Sequence, residues 1–146
     1  MIFADFKDFV AKLPAKGRLL GIDWGARRVG LAVSDESREF IFPRKVIMDA
    51  DNLVKVIIDN ANFEKVVGII IGLPQHADGT DSETTHAVRL FADILAKTVD
   101  IPITFIDERL TSAEAKERKD KKTAIDTAAA AIILEDAISM IKRIGV

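Results

Sequence analysis

Leu19-Leu20-Gly21-Ile22-Asp23-Trp24-Gly25-Ala26-Arg27-Arg28-Val29-Gly30-Leu31-Ala32-Val33-Ser34 decides the architecture. It reads as two apolar strands, roughly 18–24 and 28–34, joined by a tight turn. Gly25 supplies permissive backbone for that turn. Asp23 ends the first apolar run, where a carboxylate costs desolvation unless it finds a partner. Two partners suit it. One is the backbone of its own turn, which aspartate caps readily. The other is a metal ion.

Working outward, Phe40 to Ile47 reads as a third strand, and Pro43 confines it to a sheet edge because proline donates no ladder hydrogen bond. Ala50, Leu53, Val54, Ile57, Ile58 and Ala61 mark one face of a helix. Val66-Val67-Gly68-Ile69-Ile70-Ile71 is apolar throughout, as a parallel central strand buried on both faces would be. Gly72-Leu73-Pro74 closes it. Thr80 and Glu83 form a capping-box pattern for a helix striped by Ala87, Val88, Phe91, Ala92 and Leu95. Ile101 to Ile106 is the fifth strand and runs into Asp107-Glu108. Thr111 and Glu114 repeat the capping pattern before a short charged helix, and a last helix runs from Thr123 to Arg143. Three strands followed by alternating helices and strands predict an α/β fold. Its mixed five-stranded sheet has order 3-2-1-4-5, strands three and five at the edges, and helices on both faces. Upstream, Phe3, Phe6, Phe9, Val10 and Leu13 at helical spacing predict a short amphipathic helix ended by Pro14-Ala15-Lys16-Gly17. Residues 1–17 thus read as an N-terminal helical extension, a surface pad without catalytic role, and residues 18–146 as a single domain.

A chain of 146 residues suits one compact domain, and nearly half of it is apolar, which excludes disorder. No apolar run approaches a membrane span. With no cysteine there is neither a disulfide framework nor a thiolate metal site. The first residues lack a basic-then-apolar signal pattern. These features predict a cytoplasmic protein without a membrane partner. A net charge of −2 argues against a general nucleic-acid coat but leaves room for a local basic patch.

Chemistry is carried by three acids. Asp23 ends strand one and Glu108 follows strand five. If those strands are parallel, both lie at the carboxyl edge of the sheet, where sites of open α/β sheets form. Asp126 shares a helix face with Ala129, Ala130 and Ile133. The run Ala128-Ala129-Ala130-Ala131 lets that helix approach closely and bring Asp126 onto the same edge. Three converging carboxylates suit one or two hard cations, Mg²⁺ or Mn²⁺, and predict carboxylates within about 4–8 Å of one another. Singly, each acid has a plainer use: Glu108 pairs with Arg109 or Arg28, and Asp126 complements a helix N-terminus. Around the acids, Arg27, Arg28, Arg109, Lys121 and Lys122 form a rim along which a phosphate backbone could lie. His86 reads as a surface residue. His76, in the loop after strand four, reads as a loop histidine near the site.

Gly21-Ile22-Asp23-Trp24-Gly25 with Arg28-Val29-Gly30-Leu31-Ala32-Val33-Ser34-Asp35 resembles the opening motif of the YqgF family. These are bacterial RNase H-like proteins described as Holliday junction resolvases and as nucleases that trim the 5′ end of pre-16S ribosomal RNA. Gly72-Leu73-Pro74 with Asp78-Gly79-Thr80 resembles the second family motif, and Asp107-Glu108-Arg109-Leu110-Thr111-Ser112 the third. Lys122 with Ile125-Asp126, Ala129-Ala130 and Ile133-Leu134 resembles the fourth. The resemblance spans about residues 18–140 and implies an RNase H-like fold. It assigns Asp23, Glu108 and Asp126 as catalytic, metal-holding acids. The chain departs from the family in carrying Gln75-His76-Ala77 where Leu-Asn-Met is common. Its linker between Thr111 and Asp126 is shorter, and seventeen residues precede the usual start.

Three functions compete. The first is a metal-dependent nuclease on structured nucleic acid, either ribosomal RNA precursor or branched DNA. The second is a non-catalytic RNase H-like binding module, against which the three retained acids argue. The third is a sugar-kinase or actin-like ATPase lobe, against which the lack of a second lobe argues. A resolvase cutting symmetric strands calls for a homodimer, whereas an RNA trimmer can work as a monomer.

Overall fold

A computed structural model of the chain describes residues 1–44, 46–48, 52–107 and 125–145, side chains excepted at 125–128. The described strands are β1 (Ile2–Phe3), β2 (Arg18–Asp23), β3 (Arg28–Ser34), β4 (Ile41–Pro43), β5 (Ile47–Met48), β6 (Val66–Leu73) and β7 (Ile103–Asp107). The described helices are α1 (Phe6–Lys12), α2 (Leu53–Glu64), α3 (Glu83–Thr98) and α4 (Ile125–Ile144). All seven strands join one sheet of order β1-β7-β6-β2-β3-β4, with β5 also on β3.

The order 3-2-1-4-5 is present within this sheet as β4/β5-β3-β2-β6-β7. β2 and β3 are antiparallel, while β2, β6 and β7 run parallel. Pro43 lies on the outer strand, as its missing donor requires. Two features differ from expectation. The third strand is broken into β4 and β5. Pro43 pairs with Ala32 and Ile47 with Val29, so the register differs by one residue between the two pairings. The Arg44 amide donates to Leu31 O at 2.9 Å. The fifth strand is not an edge either, because β1 pairs with its outer side, Ile2 with Ile103 and Phe3 with Thr104.

Alternation along the strands sorts the core into two layers. Leu20, Ile22, Val29, Leu31, Val33, Ile69, Ile71 and Ile103 pack with α2 and α3. Leu19, Ala32, Ile70 and Ile106 pack with α1 and α4. The helix α1 belongs to this second layer rather than lying on the surface, since Phe9 and Val10 are buried. Gly68 makes room for it, as a Cβ there would fall 2.7 Å from Leu13 Cδ2 and 3.0 Å from the Phe9 ring. Arg38 ties down the segment behind α1, donating to Gly17 O and Pro14 O at 2.9 Å each. The capping box of α3 also shifts. Ser82 is the N-cap and Thr85 its reciprocal partner, because the Thr80 hydroxyl is already donated to Asp78 at 2.6 Å. The predicted Thr111/Glu114 helix lies outside the described residues. Among the described residues no helix is long and apolar enough to cross a membrane.

The β3–β4 turn carries a pH signature. Asp35 accepts from the Ser37 hydroxyl and from the amides of Phe40, Glu39 and Ser37, which together lower its pKa to about 2. The folded value lies below the ordinary 3.8, so the stabilisation is complete above that value and is lost as pH falls toward 2. Acid melting should show it. Between pH 4 and pH 2 the wild type is expected to lose more stability than Asp35→Asn, and parallel curves would contradict the role of the carboxylate.

Candidate active site

The carboxyl ends of the parallel strands β2, β6 and β7 place Asp23, Leu73 and Asp107 along one edge of the sheet. Open α/β sheets form their sites at such an edge. Asp23 is half-buried, the last residue of β2. It continues the series of Leu19, in the α1/α4 layer, and Gly21, which touches α4, so alternation assigns it to the α4 side of the sheet. Asp107 belongs to the other series, with Ile103 and Phe105 of the α2/α3 layer. The two acids therefore start on opposite faces, and β6 lies between their strands.

The strand positions beside Asp23 are glycines. Its cross-strand partner is Gly30, and two residues earlier in β2 is Gly21. On β6, Gly72 follows Ile71, the partner of Ile22. Three glycines therefore stand in register beside Asp23, in the series that faces α4. The helix crosses β2 at Gly21, where an added Cβ would fall 2.9 Å from Ala130 O and 3.0 Å from Leu134 Cβ. Asp126 stands four residues before Ala130, about 6 Å of helix rise away, in the first turn of α4. The helix therefore meets β2 one turn after Asp126.

The turn after Asp23 is held by two devices. Trp24 packs into the α2/α3 layer with its ring centroid 6.3 Å from that of Phe91. Gly25 is needed for space rather than for a left-handed backbone. Its φ is not positive, and a Cβ on it would fall 2.8 Å from Arg28 O. Arg27 and Arg28 are exposed beyond this turn, and Arg28 shares the series of Gly30 and Ala32 on the α4 side. After β6, the loop is a built turn. Gly79 N donates to His76 O at 2.8 Å, His76 N to Thr80 O at 2.9 Å, and Thr80 N to Asp78 Oδ1 at 2.9 Å. The Thr80 hydroxyl and amide bonds pull the Asp78 pKa down. The Gln75 amide does the same for Asp81, which also pairs with Arg89 at 3.4 Å. His76 and His86 are both exposed.

Of the predicted site residues, Asp23, Arg27 and Arg28 stand at the carboxyl edge, and the backbone of Asp126 lies one turn before the point where α4 meets β2. Glu108, Arg109, Lys121 and Lys122 lie outside the described residues, as does the side chain of Asp126. Among the described residues no three His, Asp or Glu groups gather as a metal centre. The glycine floor and the Trp24 anchor were missed by sequence reasoning. Strand alternation applied to Gly21, Gly30 and Gly72 would have found the floor, whereas the Trp24–Phe91 contact depends on where α3 docks.

Comparison with known proteins agrees with this architecture. The family profile described as "RuvX: Holliday junction resolvase" matches residues 17–140. A relative from Maridesulfovibrio salexigens is 43% identical over 129 residues, covering 81% of this chain and 95% of its own length. One from Paracoccus denitrificans is 34% identical over 159 aligned positions, covering 99% and 98%. Both carry the name "Putative pre-16S rRNA nuclease". Among solved structures, Thermus thermophilus RuvC in complex with a Holliday junction substrate superposes with a TM-score of 0.63 at 15% identity, covering 88% of this chain and 96% of that one. The fowlpox virus Holliday junction resolvase gives a TM-score of 0.51 at 12% identity, covering 86% and 99%. At those identities the structures speak for a shared RNase H-like fold, while the profile and the relatives establish descent: the chain belongs to the RuvX family of nucleases.

Proposed function

We propose that this nuclease hydrolyses phosphodiester bonds in structured nucleic acid with Mg²⁺ or Mn²⁺, and that its substrate is the 5′ end of pre-16S ribosomal RNA. The observation that carries the reading is the placement of Asp23. It is half-buried on a floor of glycines at the carboxyl edge, with the first turn of α4 one helical turn from its strand. Carboxylate oxygen is the donor a hard cation prefers. Asp23, Glu108 and Asp126 would hold it. β7 presents Thr104 and Ile106 to the α1/α4 side, and Glu108 is the next member of that series in the sequence. When bound, such an ion lowers the pKa of a water and neutralises charge on the phosphate. The chain itself supplies position. Trp24 fixes the turn behind Asp23, and Arg27 and Arg28, with Arg109, Lys121 and Lys122, hold phosphates of the strand across the acids. The ribosomal substrate is taken from the names of the sequence relatives. The family description favours a second substrate, a four-way DNA junction.

The deciding experiment incubates the purified protein with a ribosomal RNA precursor and with a four-way DNA junction, each with Mg²⁺, with Mn²⁺ and with chelator. Cleavage of the precursor alone, lost on chelation, is expected. Junction cleavage alone would move the assignment to the resolvase, and cleavage insensitive to chelator would remove the metal. A companion prediction concerns the rim. Arg28→Ala should weaken substrate binding several-fold and reduce the slope of log affinity against log salt by about 1. An unchanged slope would show that the phosphate path lies elsewhere.

A further inference from the structure

One side of α3 is buried, at Thr85, Val88, Phe91, Ala92 and Leu95. On its opposite side Glu83, Ala87, Leu90, Ile94 and Lys97 follow one another at alternating steps of four and three residues. That spacing lines them up along a single helical seam. Leu90 is 63% exposed and Ile94 52%. Glu83 and Lys97 are exposed too, and among the described residues neither carries an ion pair.

Two exposed apolar side chains alone decide nothing. Their charged flanks do. Glu83 stands seven residues before Leu90 and Lys97 seven after it, two turns either way and about 10 Å along the axis. A second copy of α3 laid antiparallel about a twofold axis at Leu90 therefore sets each Lys97 opposite Glu83 of the other copy. The same operation brings the two Leu90 side chains together, with Ile94 on either side of them. A parallel pair would set Glu83 on Glu83 and Lys97 on Lys97. The helix dipoles favour the antiparallel arrangement as well, because it brings ends of opposite sign together. A contact about a twofold axis needs a surface complementary to itself, and this seam is one. We propose that α3 is the surface through which two copies of this chain associate, antiparallel about Leu90. Since α3 returns from the carboxyl end of β6 toward the start of β7, such a pair carries its two candidate sites at opposite ends. The contact does not depend on what those sites cleave.

The test is sedimentation of the full chain without nucleic acid. A contact made by one helix face is small and weak, so dimer is expected to form between about 10 and 100 µM. Leu90→Asp, which sets two charges against each other on the axis, should raise the dissociation constant about tenfold or more. Lys97→Glu and Glu83→Lys, each alone, put like charges at both flanks and should weaken association several-fold. An equimolar mixture of those two variants should recover it, because every flanking pair is again of opposite sign. Melting of dilute samples checks that each variant folds. A chain that stays monomeric over that range would overturn the proposal. So would a dimer indifferent to Leu90→Asp, which would place the contact on another face. A mixture that associates no better than either variant alone would overturn the antiparallel register.

Discussion

Asp23→Asn is expected to abolish cleavage while leaving the fold and the affinity for nucleic acid intact. The substitution keeps volume and one carbonyl oxygen, and changes charge alone. Asp23 sits at a strand end with Gly30 as its cross-strand partner, and an amide of equal size fits the same space. What is removed is the negative charge proposed to hold the cation. Losing the cation loses both activation of water and neutralisation of the phosphate. Several kcal/mol of barrier are at stake, roughly a factor of ten in rate for each ~1.4 kcal/mol. Binding should hold or tighten slightly, because one charge repelling the phosphates is gone. Thermal stability without metal should hold or rise, since neighbouring carboxylates repel one another. Paired melting and cleavage measurements decide the matter. Full cleavage by the variant would remove the metal mechanism. A collapsed melting curve would assign Asp23 to the turn backbone instead.

Gly21→Val should cost both stability and activity. A Cβ on Gly21 already falls 2.9 Å from the Ala130 carbonyl and 3.0 Å from Leu134 Cβ. Both belong to the helix that carries Asp126, and the carbonyl is backbone, which cannot turn aside as a side-chain end can. Overpacking of this kind costs about 1–3 kcal/mol. At roughly 3–4 °C per kcal/mol, melting should fall by about 3–12 °C. Relief comes from lifting α4 off β2, which shifts its first turn. A displacement near 1 Å at a reacting centre can cost about 10²-fold, so cleavage should fall well beyond the melted fraction. Gly68→Ala provides the contrast. It crowds Leu13, Leu19 and Phe9, whose side-chain ends can move, on the α1 side of β6. It should lower stability with cleavage retained in proportion to folded protein. Equal activity losses in the two variants would break the link between Gly21 and the position of α4.

The sequence by itself determined the sheet and the position of Asp23 in it. The apolar run of β6, the Asp23–Arg28 turn and Pro43 on the outer strand each express a local rule of burial or hydrogen bonding, and each was legible without coordinates. The strand order follows from the same rules, because parallel neighbours need crossover helices and Pro43 needs an open side. Only the tertiary structure decided how the ends close. Ile2 and Phe3 read as the start of a helix, yet they pair with β7, because the open outer side of that strand offers hydrogen bonds that a short isolated helix cannot match. Gly25 read as a residue chosen for its backbone freedom, and the fold shows it chosen for the space beside Arg28 O. Alternation set Asp107 on the face opposite Asp23, since a single residue of register exchanges the two sides of a strand. The contact between α4 and β2 is likewise a tertiary fact. It depends on two small residues, Gly21 and Ala130, far apart in sequence and brought into contact only when helix and sheet pack.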